Sequence, residues 1–254
     1  MDTLSARGLV MAYGDGPGAT RALDGVDVDL RPGESVAVTG PSGSGKTTLL
    51  HCLAGILRPT SGVVELDGAD LTAMSDARRT RLRRSEFGFV FQSGQLLPEL
   101  PAQENAALPL MLAGVDRRTA VARARELLGA LGLAGAEERR PGQLSGGQAQ
   151  RVAIARALVG SPRVVFADEP TGALDQGTGE EVLATLTGAV RRAGAALVVV
   201  THDPAVARWC ARTLAMRDGR VVREFHAPAP AANPAGAGAA PAAPARAAGS
   251  GVPS

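Results

Sequence analysis

The chain's tightest constraint is an eight-residue segment, Gly40-Pro41-Ser42-Gly43-Ser44-Gly45-Lys46-Thr47, which reads G-x-x-x-x-G-K-T. It follows a short apolar run, Ser35 to Thr39, and precedes a helical stretch from about Lys46 to Leu57. A strand that turns through glycines into a helix presents bare backbone N–H groups at a helix N-terminus, a ready site for phosphate. Lys46 is the single lysine among 27 basic residues, all the others being arginine. A compact ammonium on a thin stem can thread such a loop where a planar guanidinium would clash. The segment therefore predicts a nucleoside-triphosphate site in which the N–H groups of Gly43 to Thr47 cradle phosphates and the Thr47 hydroxyl meets Mg²⁺.

Bulk properties bound the rest. At 254 residues the chain can bury one core, with or without an inserted subdomain. A net charge of +2 and 3% aromatic residues give no basic field and no stacking platform, so a nucleic-acid partner is not expected. Cys52 and Cys210 match no metal or redox spacing and read as core fillers in a reducing compartment. No charged-plus-apolar leader is visible, and the longest apolar stretch, Ala106 to Val115, contains Pro109 and Gly114 and is too short to span a bilayer. The expectation is a cytoplasmic chain that reaches a membrane only through a partner.

Val26 to Leu30 alternates like a half-exposed strand, and Gly62 to Leu66 and Phe87 to Phe91 read as further strands. Val164 to Ala167 and Leu197 to Val200 are continuous apolar runs suited to a mostly parallel sheet covered on both faces. From about 93 to 160, Ala, Leu, Arg and Glu dominate and no strand-like run occurs, which predicts a helical subdomain inserted into an α/β core. Asp218-Gly219 between two β-like runs predicts a hairpin turn. From 227 to 254, 23 of 28 residues are Ala, Pro or Gly, a composition that reads as a disordered tail following one domain over 1–226.

Two more elements bear on chemistry. Val164 to Ala167 carries a strand to Asp168-Glu169, delivering two carboxylates beside the expected phosphates. Asp168 is placed to hold Mg²⁺ through water and Glu169 to act as general base; taken alone, the pair is equally a solvated acidic turn before Pro170. Leu144-Ser145-Gly146-Gly147-Gln148 precedes a helical run, so Ser145 can cap a helix whose first turn lacks bulky side chains. One chain thus holds two helix N-termini suited to phosphate.

With these motifs in order over residues 3–226, the chain resembles the ATP-binding subunits of ABC transporters. The resemblance implies an α/β P-loop NTPase core of mostly parallel sheet, with an antiparallel β part and the inserted helical subdomain. It implies ATP and Mg²⁺ bound by Gly40, Pro41, Ser42, Gly43, Ser44, Gly45, Lys46, Thr47 and Thr48, with Asp168 and Gln92 completing the metal site. Glu169, His202 and Gln92 become the catalytic set, Asp175 in Ala173-Leu174-Asp175 the D-loop residue, and Tyr13 the aromatic that stacks on adenine. Leu144, Ser145, Gly146, Gly147 and Gln148 form the signature that completes the site of a second copy; Ala149 stands where a glutamine often follows. By residue chemistry alone Gln92 is equally a strand-end glutamine and His202 equally a helix cap, while half-buried packing is the lesser alternative for Tyr13.

Phe89 to Leu112 is similar to the lipoprotein-release, macrolide-efflux and cell-division branch, in which the corresponding segment forms a groove for a membrane subunit. The implied activity is ATP hydrolysis by a dimer that drives a separate integral membrane permease from the inner face of the cell membrane. The alternative within the branch is a cell-division ATPase that signals through its membrane partner without transport. A ribosome-acting relative would carry two such cassettes, and a DNA-repair ATPase a long coiled coil before the signature, and neither is present. A non-enzymatic binding module sits poorly with both Glu169 and His202 present. Arg78, Arg79, Arg81, Arg83 and Arg84 read first as a solvated helix face, and second as a patch for an anionic membrane or acidic loop.

Overall fold

The computed structural model describes residues 3–14 and 18–226. The Ala/Pro/Gly-rich segment 227–254 lies outside the described residues. Strands β1 (Leu4–Tyr13), β2 (Thr20–Leu30), β4 (Ser61–Leu66) and β5 (Ala69–Asp70) form an antiparallel sheet in the order β2-β1-β4-β5. The second sheet runs β10-β9-β3-β8-β7-β6, with β3 (Ser35–Thr39), β6 (Phe87–Phe91), β7 (Val164–Asp168), β8 (Ala196–Val200) and β9 (Arg212–Arg217) mutually parallel. The edge strand β10 (Arg220–His226) returns antiparallel to β9 through Asp218-Gly219, both at positive φ.

The continuous apolar runs are explained by two cores, one on each face of this sheet. Along β7, Val165 and Ala167 enter one core while Val164 and Phe166 enter the other. In β8, Leu197 and Val199 divide from Ala196, Val198 and Val200 in the same way. The second core lies between the two sheets and is filled by Leu49, Leu50 and Leu53 of α1 (Lys46–Leu53). The first holds the helices between β6 and β7, namely α3 (Ala102–Leu112), α4 (Arg117–Ala130) and α5 (Gly146–Leu158), together with α6 (Gln176–Arg192). A short helix, α7 (Pro204–Ala207), follows β8. No helix among the described residues is long and apolar enough to cross a membrane.

Two expectations change, and one strand was not expected at all. Helix α1 stops at Leu53 rather than near Leu57 because Gly55 takes φ +61°. Gly55 N–H then bonds Cys52 O and Ile56 N–H bonds His51 O, the paired 5→2 and 6→1 bonds of a Schellman ending. β1 escaped the alternation test because its register with β2 and β4 shifts repeatedly. The arginine-rich segment is helix α2 (Asp76–Glu86), but its arginines are not simply a solvated face. Arg79 is buried against Asp76, Arg83 donates to Gly55 O at 2.6 Å, and Arg84 donates to Leu112 O at 2.7 Å. Guanidinium groups thereby satisfy carbonyls at the C-terminal ends of α1 and α3, where helix dipoles favour a cation.

Both cysteines are buried and free, and desolvation pushes the Cys52 thiol up to about 11 and that of Cys210 to about 12. Burial thus disfavours the thiolate, the nucleophilic form, at both.

Candidate functional site

Strands β6, β7 and β8 end flush, with Asp168 in register with Phe91 on one side and Val200 on the other. The loop after β3 leaves from this same C-terminal edge, where open α/β sheets bind ligands. Its glycines answer to geometry. Gly45 sits at φ +97°, and a Cβ there would run into the Ala22 carbonyl oxygen; one on Gly40 would run into that of Met216. Gly45 caps α1 without a side-chain hydrogen bond, so the first-turn amides keep no acceptor of their own. Lys46, only 9% exposed, donates from Nζ to Gly40 O at 2.9 Å and Pro41 O at 2.8 Å. An ammonium has three donors, so one remains for a ligand. The Ser44 hydroxyl is buried with no partner among the described residues.

The carboxylates face this loop. Asp168 Oδ2 accepts from the Thr47 hydroxyl at 3.4 Å. Burial holds the Asp168 carboxyl above the usual aspartate range; His51 pulls it down, Glu169 pushes it further up, and Thr47 and Lys46 pull it down. Glu169 stands at φ +47°, a left-handed setting that costs a non-glycine residue roughly 1–2 kcal/mol. Its N–H bonds Val200 O at 2.9 Å. Its Oε1 accepts from the His202 N–H at 3.0 Å and lies 2.6 Å from His202 Nδ1; its Oε2 accepts from the Thr201 hydroxyl at 3.1 Å. Thr201 is fully buried, and its hydroxyl also accepts from Asp203 N–H at 3.0 Å.

Together these groups line a cleft of about 690 Å³ that brings Pro41, Ser42, Gly43, Gly45, Lys46, Thr47 and Thr48 against Asp168, Glu169 and His202. A lysine and open amides facing paired carboxylates suit a polyphosphate accompanied by a divalent cation. Gly40 and Ser44 do not line the cleft; Gly40 O accepts from Lys46 Nζ, and Ser44 N–H bonds Pro41 O at 3.2 Å.

The remaining expected residues lie elsewhere. Ser145 caps α5, accepting from Gln148 N–H at 3.2 Å, while Gln148 Oε1 accepts from Ser145 N–H at 3.0 Å. Leu144 is partly buried on the helical core. Gly146 presses on the turn before α6 and Gly147 on α6 itself, where a Cβ would lie 3.0 Å from Leu174 Cδ2 and 2.6 Å from Thr178 Cγ2 respectively. Asp175 caps α6 by accepting from Thr178 N–H at 3.0 Å, and that bond lowers its carboxyl below the usual range. Gln92 is exposed and lies against Gly172, and Tyr13 is 46% exposed at the end of β1. None of these lines the Lys46 cleft.

Four residues near the chemistry were not singled out from the sequence. Ala22 and Val200 line the cleft, Thr201 holds Glu169, and Gln150 is a buried glutamine bonded beneath the carboxylate loop. Thr201 carried a signal, since it stands between the apolar run and His202. Gln150 carried a weaker one: a polar residue on the face of α5 that otherwise buries Ala153, Ile154 and Ala157.

The ABC transporter family profile matches residues 23–172. The chain is 48% identical over 221 residues to the lipoprotein-releasing system ATP-binding protein LolD of Geobacter metallireducens, covering 87% of this chain and 98% of that protein. It is 46% identical over 228 residues to the macrolide export ATP-binding/permease protein MacB 1/2 of Paracoccus denitrificans, covering 90% of this chain and 34% of that longer protein. Among solved structures, a dimeric post-hydrolysis ATP-binding cassette bound to ADP and Pi matches with TM-score 0.78 and 39% identity, over 88% of this chain and 98% of that one. The family match, the near-full-length likeness to LolD and the arrangement of the cleft agree: the chain belongs to the ABC transporter family.

Proposed function

We propose that the chain hydrolyses ATP as a pair of copies, each site joining the Lys46 loop of one copy to Ser145-Gly146-Gly147 of the other, and that closure around ATP drives a separate membrane permease. The observation that carries this reading is the division of groups. The Lys46 loop, Asp168, Glu169 and His202 share one cleft, while the capped N-terminus of α5 stands outside it. A chain holding one of each half-site completes both by pairing head to tail across a two-fold axis.

Within the cleft, the α1 amides and Lys46 bind and orient the phosphates. Thr47 and Asp168 are the residues that would hold Mg²⁺, with Gln92 reaching in from the end of β6, and the ion would supply neutralisation of the charge on the transferred phosphate. Glu169 receives a proton from the attacking water at its carboxylate, and His202 and Thr201 fix the direction of that carboxylate. Tyr13 is proposed to stack on the base, and Asp175 to meet the partner copy.

Support for the permease comes from a second cleft, of about 620 Å³, between α2, β6, α3 and α5. Phe87, Phe89, Pro109 and Leu112 give it apolar walls, and Leu112 is 66% exposed. Docking there places the chain on the inner face of the cell membrane.

Glu169→Gln tests the reading. ATP turnover falls by about 10²–10⁴-fold while nucleotide affinity is retained. An ATP-bound dimer then accumulates on a sizing column. Turnover close to that of the unaltered chain would remove Glu169 from the role of base.

A further inference from the structure

Gln150 lies on the first turns of α5 and is 3% exposed. Its single amide nitrogen donates at 2.8 Å to Phe91 O and at 2.8 Å to Pro170 O. These two carbonyls belong to different strand ends. Phe91 immediately precedes Gln92, and Pro170 immediately follows Glu169. The Phe91 carbonyl also accepts from Gly94 N–H at 3.0 Å, so both its lone pairs are used.

Other contacts make this joint stiff. Arg156, further along α5, donates to Gly94 O at 2.6 Å and Gln95 O at 2.7 Å. Beneath it, Gly88 of β6 is so close to α5 that a Cβ would collide with the Ala157 carbonyl oxygen. Gln92 in turn lies against Gly172, two residues beyond Pro170. The helix that carries Ser145 to Gly147 is therefore bonded directly to the backbone on either side of the cleft's chemistry. Gln150 spans both sides with one group.

We propose that Gln150 is a positioning residue for hydrolysis: its amide locks the ends of β6 and β7 to the helix bearing Ser145–Gly147, so that Gln92 and Glu169 are set by where that helix sits. The proposal rests on the ATPase reading above. Glutamine suits the task because it offers two donors without a buried charge. Methionine matches its volume and offers none, leaving Pro170 O unpaired in the interior.

The test compares the purified chain with Gln150→Met and Gln150→Glu, measuring MgATP turnover, equilibrium binding of a fluorescent ATP analogue and thermal unfolding. Gln150→Met lowers kcat by about 10–100-fold, the cost of a misplacement near 1 Å, while KM and affinity stay within about twofold. Gln150→Glu, when ionised, sets a carboxylate against two carbonyls, whereas its protonated form restores one donor. Its kcat relative to the unaltered chain therefore recovers as pH falls, while the Gln150→Met ratio stays level. Turnover of Gln150→Met within twofold of the unaltered chain overturns the proposal. So does a loss of turnover matched by equal losses of affinity and melting temperature, which would make Gln150 a packing residue. An unaltered chain that turns over no ATP overturns the ATPase reading itself, and the positioning role falls with it.

Discussion

Gly147→Ala separates two reasons for a glycine in the signature. One is that a bare first turn offers N–H groups to phosphate; the other is that α5 and α6 pack too closely for a side chain. The added Cβ would meet Thr178 Cγ2 at 2.6 Å and Val182 Cγ2 at 3.9 Å. The first contact must open by about 1 Å to reach the 3.5–4.0 Å optimum between carbons. Overpacking of this kind costs about 1–3 kcal/mol, against which alanine returns up to about 1 kcal/mol of helix propensity. A net loss of about 1–2 kcal/mol lowers the melting temperature by about 2–8 °C in a chain of this size. Thr178→Ser removes the offending methyl and keeps the backbone N–H that Asp175 accepts from. In a double-mutant cycle read by urea unfolding, the pair is more stable than the sum of the single changes by about 1 kcal/mol. Additivity within about 0.5 kcal/mol would refute the packing account. Turnover then isolates the other job: a double variant with restored stability but lost hydrolysis assigns the remaining deficit to phosphate access.

Lys46→Arg weakens binding of a fluorescent ATP analogue about as much as Lys46→Ala, because a planar fork cannot sit between the Gly40 and Pro41 carbonyls; retained affinity would remove the reason for the chain's lone lysine. Gly45→Ala, which combines positive φ with a collision on Ala22 O, destabilises the chain by more than about 3 kcal/mol in urea unfolding, above ordinary overpacking. Asp116 caps α4 by accepting from Thr119 N–H at 3.0 Å, and the Thr119 side chain first and this bond second depress its carboxyl below the usual aspartate value. Its stabilising effect is full above that value and is lost as pH falls through the depressed one, so Asp116→Asn, an uncharged cap, flattens that part of the stability–pH curve.

The cleft was legible wherever chemistry and chain order coincide. The phosphate loop needs glycines at set intervals and a lysine after the last, and β7 must deliver its carboxylates at a strand end; both are patterns within a few residues. Elements set by long-range register were hidden. β1 alternates poorly because its pairing slips at several points, and nothing in Leu4 to Tyr13 reports its partners. The arginines of α2 look alike in sequence, yet their targets are carbonyls 28 residues away, at Gly55 and Leu112. Thr201 and Gln150 matter only because β8 lies beside β7 and α5 lies over β6, and strand order is not written in any local window.

Glu169 shows how far the fold, rather than the motif, determines the chemistry. A carboxylate at the end of β7 could rotate into solvent, since nothing in Asp168-Glu169-Pro170 restrains it. The chain instead holds Glu169 at φ +47° and ties its N–H to Val200 O, so the side chain leaves the strand toward β8. There Thr201 and His202 supply a hydroxyl, a backbone N–H and an imidazole nitrogen to the two carboxylate oxygens. Those donors fix the direction of both carboxylate oxygens, while the neighbouring Asp168 is pushed above the usual aspartate range chiefly by burial and further by the charge of Glu169. Two adjacent carboxylates thus differ in environment, one braced by donors and one partly desolvated beside Thr47, a division that suits a base and a cation ligand. The strain at Glu169 persists because β8, a strand buried along its whole length, holds the partner atoms in place.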